Sequence, residues 1–142
     1  MSQKTIKIIS WMLTILLTLL FVMSALIKLT FGEMALEQAS VLGIDPYTFR
    51  MLGVVEIVSI VLFTMPRTGV LGSLLLIAYM GGAIAVHVQH HQAIAGVVII
   101  EGLIWVTSAL RFPELSQRLF TSRKLFKNIS IEKDKIKIID TK

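Results

Sequence analysis

Four long apolar stretches dominate the chain before residue 111. They cover residues 8–28, 47–65, 69–88 and 93–110. Each is close to the length of about 20 residues that an α-helix needs to cross the hydrocarbon core of a bilayer. Few charged residues fall within them: Lys28 ends the first stretch, Arg50 and Glu56 lie in the second, and Glu101 lies in the fourth. The pattern predicts an all-α membrane protein, a four-helix transmembrane bundle.

The connections between the stretches limit the topology. Pro66 directly follows the second stretch, and a tight turn is expected there because proline lacks a backbone donor and disfavours helix at the preceding residue. The third connection, residues 89–92, is equally short, so stretches two, three and four are expected to be antiparallel neighbours. The first connection is longer and is expected to hold a short amphipathic turn through Met34, Ala35, Leu36 and Ala39.

Composition and charge support a membrane location and an orientation. Of the 142 residues, 16% are charged, whereas soluble domains carry about 25%. Most of the 14 Lys and Arg residues lie near the N-terminus, in the turn at Arg67 or after residue 110. Because basic residues accumulate on the cytoplasmic side of a membrane, both termini are predicted in the cytoplasm and the spans in a bacterial inner membrane. This distribution argues against a nucleic-acid partner, and the absence of Cys excludes thiol chemistry on this chain.

The chain is expected to divide near residue 112. Residues 1–112 would form the transmembrane domain and residues 113–142 a basic cytoplasmic tail. The first half of the tail has the pattern of an amphipathic helix that anchors to anionic lipid, and the residues after 128 are expected to form a small hairpin or a disordered charged end. The apolar residues that give the tail this amphipathic pattern are Leu115, Leu119, Phe120 and Phe126.

Five polar residues of the spans are candidates for function. Ionisable side chains inside a bilayer are costly and usually face the interior of a bundle. With a rise of about 1.5 Å per residue, Glu56 and Glu101 both lie in the outer half of the bundle, roughly 12–13 Å deep. Lys28 and His87 end their helices on that same side, and Tyr79 shares a helix face with His87. If the polar faces of the helices point inward, these residues form a polar pocket that opens outward, and each is a ligand-binding or proton-exchanging candidate.

Charge balance suggests how these residues pair. Two carboxylates and one lysine leave a negative charge uncompensated, so we expect Lys28 to pair with Glu56 while Glu101 exchanges a proton, unless His87 is charged. Two alternatives remain: Lys28 as a snorkelling anchor at the helix end, and each Glu as the partner in a structural hydrogen bond between helices. His87 and His91 have a metal-like i, i+4 spacing, but their ligand set is incomplete, and no metal is expected.

Several short motifs make the chain similar to a known family. They are Ser24-Ala-Leu-Ile-Lys28-Leu, Leu52-Gly-Val-Val-Glu56-Ile, Pro66-Arg-Thr-Gly-Val-Leu-Gly72, Tyr79-Met-Gly-Gly-Ala-Ile-Ala85-Val-His87 and Arg111-Phe-Pro-Glu-Leu115. In order and spacing, over residues 8–120, they resemble the DoxX-like membrane proteins. The resemblance implies a four-helix membrane bundle and places Lys28, Glu56 and His87 at motif positions of the family.

The resemblance also implies a class of function. Founding relatives are associated with a thiosulfate:quinone oxidoreductase and others with membrane redox complexes, which implies an accessory subunit of a quinone-linked system. A quinone in the pocket would accept hydrogen bonds from Lys28, Tyr79 and His87, while Glu56 or Glu101 exchanges protons. The expected partners are the lipid bilayer, a membrane or periplasmic redox protein, and a second copy of the chain in a homo-oligomer.

Two other classes of function remain open at this point. The protein could be a structural or assembly protein without a substrate, in which the polar residues set the helix register. It could also be a small proton-coupled transporter, although the absence of an acidic residue from the first span disfavours this class. Whether the chain itself catalyses a reaction stays open.

Overall fold

The computed structural model describes residues 3–30, 32–113 and 115 of the chain. Over these residues the protein is helical and contains no strand. The helices are α1 (Gln3–Leu29), α2 (Glu33–Val41), α3 (Pro46–Thr64), α4 (Gly69–Gln89) and α5 (Ala95–Arg111). Apart from Pro113 and Leu115, the predicted tail of residues 113–142 lies outside the described residues.

Local sequence explains where α3 begins and ends. The Asp45 carboxylate accepts a hydrogen bond from the backbone N–H of Thr48 at 3.1 Å, which satisfies one of the free donors at the start of the helix. Pro46 occupies the first turn, where its missing N–H costs nothing. The helix ends at Thr64, two residues before Pro66. Its bounds therefore lie within one residue of the predicted 47–65.

Three helices, α1, α3 and α4, are long and apolar enough to cross a membrane. The fourth predicted span, residues 93–110, corresponds to α5, which begins at Ala95 and has 17 residues. Large apolar side chains are exposed on the outer faces of these helices, among them Leu19, Val58, Leu74 and Ile99. Apolar surface of this extent is stable against lipid rather than water. The chain is therefore a multi-pass membrane protein whose helices contact the bilayer.

The longer helices pack in the order of a closed cycle. α1 contacts α3, α3 contacts α4, α4 contacts α5, and α5 returns to α1. The short α2 lies against α1 and α3, with Ala35 and Ala39 buried, so the expected amphipathic turn is a nine-residue helix. The core between the helices consists of Leu17, Phe21, Ile60, Phe63, Leu76, Met80, Ile104 and Phe112.

Arg111 joins three helices at the end of the molecule where α1 begins. Its guanidinium donates hydrogen bonds to the carbonyl oxygens of Phe63 at 2.9 Å and Thr64 at 2.5 Å. Those carbonyls belong to the last turn of α3, where intrahelical donors run out. The rings of Trp11, Phe63 and Phe112 lie 5.2–5.4 Å from the guanidinium carbon. Arg111 therefore caps α3 from α5 and packs α1 against both helices.

Candidate binding cavity

A half-open cavity of about 910 Å³ lies between the helices at the end of the molecule that carries α2. Its volume falls in the range of roughly 300–1,000 Å³ that is typical of small-molecule sites. All five helices of the described residues contribute to its wall, and most of the side chains are apolar. The apolar part of the wall includes Leu20, Phe21, Leu52, Val55, Val86, Val97 and Ile100.

Three of the predicted residues meet in the cavity wall at a single oxygen atom. Lys28 Nζ lies 2.7 Å from Glu56 Oε2, and the Tyr79 hydroxyl donates to the same oxygen at 3.1 Å. Lys28 also donates to Ser24 Oγ, one turn earlier on α1, at 2.5 Å. The side chain of Glu56 is 1% exposed and that of Lys28 is 11% exposed. The predicted Lys28–Glu56 ion pair is confirmed, and Lys28 is not a snorkelling anchor.

Close packing of α1 and α3 brings the ion pair together. Gly53, Glu56 and Ser59 follow at intervals of three residues, and all are buried on one face of α3. A Cβ atom at Gly53 would lie 3.0 Å from Cβ of Lys28, so the missing side chain lets α1 approach one turn before Glu56. Gly53 therefore allows Lys28 of α1 to come close to Glu56 of α3.

Aromatic rings restrain the two donors of the network. The Phe49 ring centroid lies 5.6 Å from Lys28 Nζ, a distance at which a ring face attracts a cation. Phe21 meets Tyr79 edge-on, with centroids 6.3 Å apart and an interplanar angle of 67°. The two contacts restrain Lys28 and Tyr79, the side chains that the sequence pattern predicts to donate hydrogen bonds to a ligand.

His87 lines the same cavity two turns after Tyr79 on α4. Its Nδ1 lies 2.8 Å from the carbonyl oxygen of Ala83. Since a carbonyl oxygen only accepts, Nδ1 carries the proton, and Nε2 of the neutral ring is an acceptor. No hydrogen bond within the described part of the chain joins His87 to the Lys28–Glu56–Tyr79 network.

Glu101 is not among the residues that line the cavity. Its Oε1 accepts a hydrogen bond from Trp105 Nε1 at 3.0 Å, one turn later on α5. Its Oε2 is buried and has no hydrogen-bond partner among the residues that the structure describes. Glu101 therefore does not join the other four candidate residues in this cavity. A similar depth along a helix does not determine the direction in which a side chain points.

The histidine pair at 87 and 91 does not form one site. His91 is exposed in the connection after α4 and has a φ of +56°, while His87 faces the cavity. His90 instead packs its ring on Gly43, where a Cβ would lie 2.4 Å from His90 Cε1. Within residues 3–30, 32–113 and 115, no group of three His, Asp or Glu side chains is placed to hold a metal ion.

The donor roles expected from the sequence also change. Lys28 and Tyr79 direct hydrogen bonds to Glu56, and His87 directs its Nδ1–H to Ala83. These protons are engaged within the protein rather than offered to a ligand. The sequence pattern did not reveal that α2, the turn after it and the first turn of α3 line the cavity, although the amphipathic pattern of the first connection was a signal for α2. The lining residues of these segments are Met34, Glu37, Gln38, Val41, Leu42, Ile44 and Phe49.

Helices with lipid-facing apolar surfaces and a cavity between them define a helical multi-pass membrane protein. A family model, described as the DoxX-like family, matches residues 12–110, a segment that contains every residue of the cavity wall. The chain belongs to the DoxX-like family. No curated protein and no solved structure matches it.

Proposed function

We propose that the protein is an accessory subunit of a membrane redox system and binds a small amphiphile of the quinone type in its cavity. The observation that carries the proposal is a cavity of about 910 Å³ whose apolar walls meet a buried ion pair. Binding sites for small molecules commonly combine apolar walls with a few convergent polar groups. Lys28, Glu56, Tyr79 and His87 are the proposed polar contacts.

The charges of the wall favour a neutral head group. Lys28 and Glu56 balance each other at 2.7 Å, so a charged head group beside this buried pair would remain unpaired in surroundings of low dielectric. Glu37, the second carboxylate of the wall, is exposed. The apolar side chains of α1, α3 and α5 would then cover the body of the ligand. Glu56 is the proposed proton-exchanging group, because it is the buried carboxylate of the cavity wall, whereas Glu37 is exposed. Glu101 would exchange protons outside this cavity.

We also propose the complete topology. Residues 1–112 form the transmembrane domain, with α5 as a fourth span whose 17 residues extend about 25 Å. Both termini and the basic tail of residues 113–142 face the cytoplasm of a bacterial inner membrane, by the positive-inside rule. The cavity then opens on the outer side, where a membrane or periplasmic redox protein or a second copy of the chain can reach its mouth.

Purification in a mild detergent, followed by mass spectrometry of extractable lipids and co-purifying proteins, tests this function. Ala83→Phe introduces a large ring into the cavity wall, and Ala85→Phe introduces the same ring two residues later on an exposed face of α4. A quinone-type molecule retained by the wild type and Ala85→Phe but lost from Ala83→Phe supports the proposal. Equal lipid content in the three proteins contradicts it.

A structural or assembly function is the second candidate. The observation that favours it is that one Glu56 oxygen joins α1, α3 and α4 through Lys28 and Tyr79, since buried polar groups can specify how helices pack. For this function, Glu56→Gln would lower thermal stability, and the wild type would carry only bulk lipid. Loss of a specific lipid from a still-folded Glu56→Gln protein would argue for the binding function instead.

A further inference from the structure

We infer that the cavity selects an amphiphile whose head donates a hydrogen bond, such as a phenol or an alcohol, over one whose head only accepts. The inference rests on the proposed function, because it concerns the ligand of the same cavity. It follows from the hydrogen-bonding capacity that the wall leaves unused, which is a separate observation from the volume and the ion pair.

The first unused group is an oxygen of Glu56. Both hydrogen bonds that the described residues make to this carboxylate go to Oε2, from Lys28 and Tyr79. A carboxylate can accept about four hydrogen bonds, and within the described part of the chain Oε1 receives none. Because the residue is 1% exposed and lines the cavity, a ligand in the cavity is the partner available to that oxygen.

The second unused group is Nε2 of His87. Its neighbour Nδ1 donates to the Ala83 carbonyl, so in the neutral ring Nε2 has a lone pair and no proton. His87 therefore adds a second acceptor to the wall. Neither acceptor has a hydrogen-bonding partner among the residues described.

Most donors at the ion pair are used within the protein, whereas the amides of Gln38 and Gln92, which also line the cavity, are exposed. The Tyr79 hydroxyl has one proton, which Glu56 receives. Lys28 has three protons: one goes to Ser24, one goes to Glu56, and the ammonium also lies 5.6 Å from the Phe49 ring centroid. Ser24 Oγ accepts from Lys28, so its own hydroxyl proton and the third Lys28 proton are the donors that remain near the ion pair. The wall therefore also holds two acceptors, Glu56 Oε1 and His87 Nε2, that only a donating ligand can satisfy.

A hydroxyl head satisfies this wall better than a carbonyl or an ether. A hydroxyl donates to Glu56 or His87 and can accept from Ser24, whereas a carbonyl or ether accepts only. An acceptor-only head would leave buried acceptors unpaired, which costs binding free energy. For a ligand of the quinone type, the reduced quinol meets the requirement and the quinone does not.

Titration of the purified full chain with matched probes tests the inference. 4-Heptylphenol and its methyl ether, 4-heptylanisole, share an apolar body and differ in the donor proton. 4-Heptylbenzaldehyde presents a carbonyl acceptor of similar size. Affinities are measured by calorimetry in dodecyl maltoside micelles, and the same titrations of Ala83→Phe correct for partitioning into the micelle. We expect the phenol to bind at least about tenfold more tightly than the ether or the aldehyde.

Two variants assign the preference to its residues. Glu56→Gln replaces the carboxylate with an amide that also donates, and should reduce the phenol preference to less than about threefold. His87→Phe removes the second acceptor without disturbing the ion pair, and keeps the test available if Glu56→Gln does not fold. Ser59→Ala is the control: Ser59 is buried one turn after Glu56 and does not line the cavity, so the preference should remain.

The outcomes separate the two proposals. Equal affinity for phenol and ether, or a preference for the aldehyde, would overturn the inference while leaving a cavity that binds amphiphiles. If none of the three probes binds the wild type more tightly than it binds Ala83→Phe, ligand binding in the cavity is overturned, and the inference with it. A phenol preference that persists unchanged in both Glu56→Gln and His87→Phe would also overturn the inference.

Discussion

Glu56 is the residue at which the buried polar contacts of the cavity converge. Its position three residues after Gly53 and its 1% exposure make its charge dependent on Lys28, because a carboxylate removed from water needs a compensating partner. The sequence predicted this pair from charge balance. It could not predict that Tyr79 would bind the same oxygen, since that contact requires α3 and α4 to meet with one particular rotation.

At the residue scale, removing one partner of the ion pair should be worse than removing both. Lys28→Met leaves Glu56 buried without its cation and should lower the free energy of unfolding by about 3–5 kcal/mol. The double variant Lys28→Met, Glu56→Gln should be destabilised less than Lys28→Met alone, and therefore by clearly less than the sum of the single variants. Reversible unfolding in mixed micelles measures all three proteins.

Lys7→Met provides the matched control, because Lys7 lies on the same helix and is exposed. Its effect on the free energy of unfolding should stay within about 0.5 kcal/mol. Strictly additive effects of Lys28→Met and Glu56→Gln would show that the two side chains do not stabilise each other.

At the scale of elements, glycines on α4 have two different roles. A Cβ atom at Gly72 would lie 2.1 Å from the backbone nitrogen of Phe63, so α3 and α4 touch there through their main chains. A Cβ atom at Gly81 would meet nothing within 4 Å. The sequence alone does not separate these two positions, because small residues at either kind of site produce the same spacing pattern.

The two glycines should therefore respond oppositely to the same substitution. Gly72→Ala forces α3 and α4 apart and should lower the free energy of unfolding by at least about 1–3 kcal/mol. Gly81→Ala adds a methyl group in open space and removes backbone freedom from the unfolded chain, so stability should rise by up to about 1 kcal/mol. Thermal denaturation of the two proteins in one detergent compares them. A similar loss in both would contradict the close contact at Gly72.

Arg111 makes a contact between helix ends that a prediction of individual helices from the sequence does not include. The sequence placed it at the cytoplasmic end of the fourth stretch as part of the basic side. In the structure it also caps the last turn of α3 through Phe63 and Thr64. Such a cap depends on two helix ends that are 47 residues or more apart in the chain, and no local pattern records that proximity.

At the scale of the whole molecule, the proposed orientation predicts which residues a membrane-impermeant reagent can label from outside the cell. The chain has no Cys, so a cysteine introduced by substitution is the only thiol of the chain that the reagent can label. Met65→Cys, in the exposed turn after α3, should be protected from a membrane-impermeant maleimide in intact cells and labelled after permeabilisation. Ala93→Cys, exposed between α4 and α5, should be labelled in intact cells.

A third position tests the fourth span. Thr141→Cys should be protected like Met65→Cys if α5 crosses the bilayer. Labelling of Thr141→Cys in intact cells, together with Ala93→Cys, would show that α5 does not cross. Labelling of Met65→Cys but not Ala93→Cys would reverse the orientation.

The sequence by itself determined the helical segments, the membrane environment and the family. Apolar length, proline positions and charge asymmetry are properties of neighbouring residues, and the bounds of α3 and α4 follow from them to within one residue. It also indicated Lys28, Glu56, Tyr79 and His87, because polar residues are rare in apolar stretches and stand out there.

Only the tertiary structure decided which of these residues share a site. Helix rotation and packing depend on contacts between residues far apart in the chain, such as Gly53 against Lys28. That packing brought Glu56 to Lys28 and left Glu101 bonded to Trp105 on its own helix. The packing also engages hydrogen-bond donors that were expected to bind a ligand, because a proton donated to a protein acceptor is not available to a molecule in the cavity.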